Sequence, residues 1–167
     1  MRMIAYVLIM CTTVVLQSTV MELFKIRWVK PDLPLVFALC TAMVKGENMG
    51  AFMGFINGIL EDIVYGKMLG FAALIKFLSG YIQGYITRDI FKGPVFLTMI
   101  FTFLGTLIYD IILIFFSLIF GQIRPPWYFF IPIVLPSALS NMLISPLVYM
   151  AVVKIEKFFD FYFNVKY

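Results

Sequence analysis

The chain has 167 residues, 63% of them hydrophobic and 13% charged, with a net charge of +4 and no histidine. So much apolar side chain exceeds what a water-soluble domain of this length can bury, so the solvent this sequence is written for is lipid. The missing histidine excludes His-based acid–base catalysis, Ser–His triads and most zinc sites, and no basic stripe interleaved with aromatics points to nucleic acid.

Six apolar blocks follow one another along the chain. Residues 3–21 come first, long enough to cross the hydrocarbon at about 1.5 Å per residue. With only Arg2 before them and no small-x-small cleavage site ahead of Glu22, they read as a retained helix and not a cleaved signal. Residues 33–44 are the shortest block. As a helix they reach only about 18 Å, so they form either a short span or a re-entrant element. The remaining blocks are 49–65, 69–87, 94–120 and 132–153. Pro132 suits a first helical turn, and Pro146 is predicted to kink the last helix. Every connection is short, so the expectation is one all-α transmembrane domain of six helices, the second of them short. Cys11 and Cys40 both lie inside apolar blocks and read as small fillers.

Six spans divide the basic residues between two sides. One holds Arg2, Lys45, Arg88, Lys92, Lys154, Lys157 and Lys166; the other holds Lys25, Arg27, Lys30, Lys67 and Arg124. The excess on the first side places both termini in the cytoplasm and Trp28, with its basic neighbours, at the outer interface.

Glycine recurs at Gly46, Gly50, Gly54 and Gly58, and Asp62 continues the row. Lipid supplies no hydrophobic force between helices, so close backbone packing must do that work, and the row predicts a groove into which another helix fits. Gly80 and Gly84 repeat the motif on the next helix. Asp62, Lys76 and Asp110 are ionisable groups at depth, where a charge costs about 2.5–3.5 kcal/mol on insertion scales and is therefore paired or functional. Depth along the two helices suggests that Asp62 pairs with Lys76, with Asp110 as the competing partner. Asp62 is otherwise either a structural partner or a contact for another helix. Glu61 points about 100° away from it, toward the outer interface. Asn57, Gln83 and Asn141 read as interhelical hydrogen bonders, Gln17 as a brace at the end of the first helix, and Pro31–Asp32 as the start of the second.

Several stretches carry a family resemblance: LQST (16–19), PDLPL (31–35), KGENMGAFMGFINGILEDIVYGKMLG (45–70), SGYIQGYITR (79–88) and LPSALSNMLISPLVY (135–149). The sequence resembles the MreD family, integral membrane proteins of the bacterial rod-shape machinery. The fifth block matches in hydrophobicity alone, and Lys76 stands where an apolar residue is expected. The resemblance implies a cofactor-free, non-enzymatic scaffold in the cytoplasmic membrane. Its implied partners are MreC, RodA, a class B penicillin-binding protein and MreB. It also implies a fold similar to the substrate-binding (S) components of energy-coupling vitamin transporters, which makes a small-molecule carrier the rival function. Against the carrier stand a first helix without a row of small residues and outer loops with few groups to build a pocket.

Overall fold

The structure is a computed structural model, and it describes residues 2–19, 31–65, 69–88, 95–120 and 130–163. They form six helices: α1 (Arg2–Thr19), α2 (Leu33–Lys45), α3 (Glu47–Tyr65), α4 (Phe71–Thr87), α5 (Val95–Ile119) and α6 (Phe130–Phe163). Gly66, Trp28 and the basic residues Lys25, Arg27, Lys30, Lys67, Lys92, Arg124 and Lys166 lie outside the described residues.

α2 is the axis of the bundle. Every residue from Pro34 to Met43 is buried, and all five other helices pack on it. A helix that is apolar on all faces has no solvent side, which explains a block with no amphipathic stripe. It runs as one continuous helix from its N-cap Asp32, paired with Lys76, to Lys45, paired with Glu156. Tyr6, Met10, Phe37, Cys40, Met53 and Val152 pack on one side of it. On another side, Leu35 and Leu39 meet Ile75 and Tyr109.

The chain reverses from α2 to α3 through one residue. Gly46 adopts φ +87°, a left-handed conformation, and its N–H donates to the Ala42 carbonyl at 2.8 Å. Nothing lies within 4 Å of the place a Cβ would occupy, so the demand there is conformational. Gly46 is therefore a turn residue, although its backbone also meets Gly84 of α4.

From Gly50 onward α3 lies backbone to backbone on α4, the closest pairing in the bundle. A Cβ on Gly50 would stand 2.6 Å from the Gly80 carbonyl oxygen. One on Gly54 would overlap the Lys76 carbonyl, and one on Gly58 the backbone of Ala72 and Ala73. Gly80 meets Gly50 in return, and Gly84 packs on the backbone of Gly46 and Glu47. The two glycine rows face each other, and dispersion between the two backbones replaces the missing hydrophobic force.

α6 is longer than its apolar block. Residues 154–163 are charged and aromatic apart from Ile155, yet they continue the helix, with Val152, Glu156 and Phe159 turned inward at helical spacing. Its 34 residues run through both Pro136 and Pro146. Pro146 has no N–H to give to the carbonyl four residues back, that of Met142, and the Ser145 hydroxyl donates to it instead at 2.8 Å.

The bundle is inverted relative to a water-soluble protein. Lys76, Gln83, Asn57, Asn141, Ser79, Thr98, Thr102 and Thr106 are buried, whereas Leu8, Val15, Phe96, Phe115, Leu143 and Leu147 are exposed. Many interior hydroxyls bond within their own helix, as Thr41 does to Phe37 and Ser79 to Ile75, both at 2.8 Å. Such an exterior is stable only against lipid. α5 and the Val134–Phe161 part of α6 are long and apolar enough to cross a membrane on their own, with mean hydropathies of 2.2 and 1.6.

A polar cluster at one end of the helical bundle

Asp32 organises the cluster. As the N-cap of α2 it accepts the Leu35 N–H on Oδ1 at 2.9 Å, satisfying one of the orphan donors of a helix start. Its other oxygen accepts from the Lys76 Nζ at 3.1 Å. The Asp32 N–H donates to Asn141 Oδ1 of α6 at 2.8 Å, and Asn141 Nδ2 reaches Thr106 Oγ1 of α5 at 3.3 Å. Gln17 of α1 grips the same segment with both ends of its amide. Its Nε2 donates to the Pro31 carbonyl at 2.8 Å, and its Oε1 accepts the Leu33 N–H at 3.1 Å. Pro31 and Asp32 ahead of α2, and Leu33 at its start, thus each have a backbone group satisfied by a side chain of another helix, as a water-poor surrounding requires.

Lys76 is 1% exposed and holds two carboxylates, Asp32 and Glu61, while its ammonium stands 5.6 Å from the centre of the Tyr109 ring. The cation is compensated by charge from α2 and α3 and by an aromatic face from α5.

The expected Asp62–Lys76 pair does not form. Asp62 caps α4 instead: Oδ2 accepts the N–H groups of Gly70 (2.8 Å) and Ala73 (3.3 Å), and Oδ1 accepts that of Ala72 (3.1 Å). Gly70, the N-cap residue of α4 with φ +92°, has no side chain to do this. The carboxylate at the end of the glycine row is there because the facing helix begins there, with orphan N–H groups and a positive dipole end in need of an anion. Depth put Asp62 and Lys76 near one level, but azimuth decided the pairing. The Lys76 backbone lies in the α3 groove, and its side chain meets Glu61, the residue about 100° further round α3.

The other predicted polar residues are placed as follows. Gln83 donates to the Phe101 carbonyl at 2.9 Å and links α4 to α5. Asp110 joins no ion pair among the described residues, and its Oδ2 is buried without a hydrogen-bond partner. Asn57 is buried, and its Nδ2 is likewise unpartnered. Asn57, Gln17, Asp32 and Glu61 line a half-open cavity of about 290 Å³, closed on its other side by Val14 and Ser137. Neither Glu61 as an ion-pair partner nor a cavity of this size was expected from the sequence. The opposite end of the bundle carries a second set of charges. There Glu156 accepts from the Tyr6 hydroxyl and pairs with Lys45 at 2.7 Å, and Glu47 pairs with Arg88 at 3.3 Å.

An apolar exterior wrapped around an ion-paired, hydrogen-bonded interior defines an all-helical membrane protein. The chain belongs to the MreD family: the family model described as rod shape-determining protein MreD matches residues 1–159. Membership carries a role in determining rod shape, in a family of membrane proteins that is not a known enzyme family. No curated protein and no solved structure matches the chain.

Proposed function

We propose that the protein is a non-enzymatic scaffold of the cell elongation complex in the bacterial cytoplasmic membrane. In this reading it binds MreC and, through the larger assembly, works with RodA, a class B penicillin-binding protein and MreB to support peptidoglycan synthesis. The observation that carries it is the family match over residues 1–159. The interior agrees with the reading. Lys76 and Asp62 are engaged in ion pairs and a helix cap that hold helices together, and broad apolar faces remain outward for lipid or partner helices. The fold proposed is that of the S components of energy-coupling transporters. One observation favours the rival carrier function: the cavity beside Asn57, where short outer loops suggested no pocket.

Depletion in the host separates the two. A scaffold gives rounded cells and loss of MreC from the elongation complex, seen by co-purification, without vitamin auxotrophy. Retained rod shape with failed uptake of a vitamin would replace the scaffold by the carrier.

All six helices cross the membrane in this proposal, with both termini in the cytoplasm. Single cysteines placed at Lys30 and Arg124, in a background lacking Cys11 and Cys40, are expected to react with an impermeant thiol reagent in intact cells. Cysteines at Asn48 and Lys157 are expected to stay unlabelled. Outside labelling at Asn48 with protection at Lys30 would invert the orientation.

A further inference from the structure

The half-open cavity between α1, the start of α2, α3 and α6 is built as a binding site and not as a packing void. Asn57 lines it at 1% exposure, and its Nδ2 donor has no acceptor among the described residues. A buried donor left unmade is costly, and proteins retain such groups where something outside the chain completes them. Two carboxylates, Asp32 and Glu61, also line the cavity, and one ammonium, Lys76, stands behind them, so the three groups together carry a net charge of −1. Lys76 is 1% exposed, whereas the Asp32 and Glu61 side chains keep 25% and 36% exposure. What enters the cavity therefore meets the carboxylates and not the cation. An excess of carboxylate charge among these described residues attracts a counter-charge in a lipid-surrounded interior. At about 290 Å³ the space stands near the lower end of small-molecule sites, which run from roughly 300 to 1,000 Å³.

We propose that the cavity binds a small zwitterion with a primary ammonium group and a hydrogen-bond acceptor a few bonds away, the chemistry of an ethanolamine phosphate. The ammonium donates to Asp32 and Glu61 and offsets their excess negative charge locally, while the ligand's own anionic end is turned away from them. The acceptor oxygen takes the free N–H of Asn57. A quaternary ammonium has no N–H to donate, and an anionic headgroup has the wrong sign for the carboxylates. A lone cationic side chain from another protein would bring no acceptor for Asn57. The ligand has two possible sources, the headgroup of phosphatidylethanolamine and a free zwitterion such as phosphoethanolamine. The inference concerns the cavity alone and does not rest on the proposed protein partners.

The full-length protein tests this in two arms. In nanodiscs of phosphatidylethanolamine, phosphatidylcholine and phosphatidylglycerol with matched acyl chains, native mass spectrometry reads which lipid stays bound on release. In detergent, soluble phosphoethanolamine is titrated and the thermal midpoint followed. Ser137→Phe fills the cavity while leaving every ion pair in place, and Asn57→Leu removes the unpartnered donor. We expect one phosphatidylethanolamine to be retained at least tenfold over the other two lipids, and that preference to fall at least tenfold in either variant. A lipid preference without a phosphoethanolamine response assigns the site to the lipid. A response to phosphoethanolamine that Ser137→Phe abolishes, without lipid preference, assigns it to the free zwitterion. Equal retention of the three lipids with no phosphoethanolamine response overturns the proposal, as does a preference that survives Ser137→Phe. If Asn57→Leu fails to fold, Ser137→Phe carries the comparison by itself.

Discussion

Lys76→Met is expected to reduce the folded yield of the protein and its ability to support rod shape more than any other single polar substitution. The methionine fills the same space, but Asp32 and Glu61 are left facing each other without the cation between them. Breaking a buried pair by removing one partner costs about 3–5 kcal/mol; the lower end applies here, because the carboxylate side chains are 25% and 36% exposed. Two double mutants locate the interaction. Adding Glu61→Gln to Lys76→Met removes one of the stranded charges and is expected to recover part of the loss, so the pair is non-additive. Adding Asp62→Asn is expected to be additive, because Asp62 serves the N–H groups of Gly70, Ala72 and Ala73 and not Lys76. Its own loss is that of a helix cap, about 0.5–2 kcal/mol. Asp32→Asn keeps a good N-cap while deleting the charge and separates the two roles of that residue. Monodisperse yield and thermal midpoint in detergent measure all of these. Strong coupling between Asp62 and Lys76, with none between Glu61 and Lys76, would reverse the assignment.

Gly54 gives the second large effect. Alanine there is expected to destabilise the protein by about 1–3 kcal/mol, the usual range for overpacking, and leucine by more. The added Cβ meets the carbonyl of Lys76 and stands 3.2 Å from the Phe77 nitrogen, so backbone and not a flexible side-chain end must yield. Pushing α4 outward also draws the Lys76 side chain away from Asp32 and Glu61, so Gly54→Ala and Lys76→Met should not add. Phe55→Leu, on the exposed face one residue along, is the control and should change little. A Gly54→Leu protein that purifies with a normal thermal midpoint and restores rod shape would show that α3 and α4 do not lie this close.

Much of this was legible in the residues. A glycine repeated every fourth position in an apolar segment has few uses in lipid other than backbone apposition, and Gly50, Gly54 and Gly58 lie against α4. Asp32 before an apolar run with Pro34 in its first turn is a helix start on local grounds, and it caps α2. Gly46 shares the four-residue period yet stands just ahead of α3, because a period cannot show where a helix begins. A left-handed φ one residue before Glu47 ends the pattern. α6 runs past its apolar block for a related reason. Hydropathy detects where lipid ends, not where hydrogen bonding ends, and Lys154 interrupts only the first.

Which charge meets which was decided by the tertiary structure. The sequence by itself determined that the chain is a lipid-solvated set of apolar helices, that two of them carry matching glycine rows, and that the ionisable groups at depth must find partners. Those are consequences of composition and of a one-dimensional period. The partners of Lys76 come from α2 and α3, and its aromatic neighbour from α5, at separations of 44, 15 and 33 residues along the chain. Depth follows from counting residues at a fixed rise, but the direction a side chain takes across a bundle depends on how each helix is rotated about its own axis. That rotation is fixed only when the glycine faces lock α3 onto α4 and both close around α2. The cavity beside Asn57 has the same origin, because a space between four helices exists only once all four are in place.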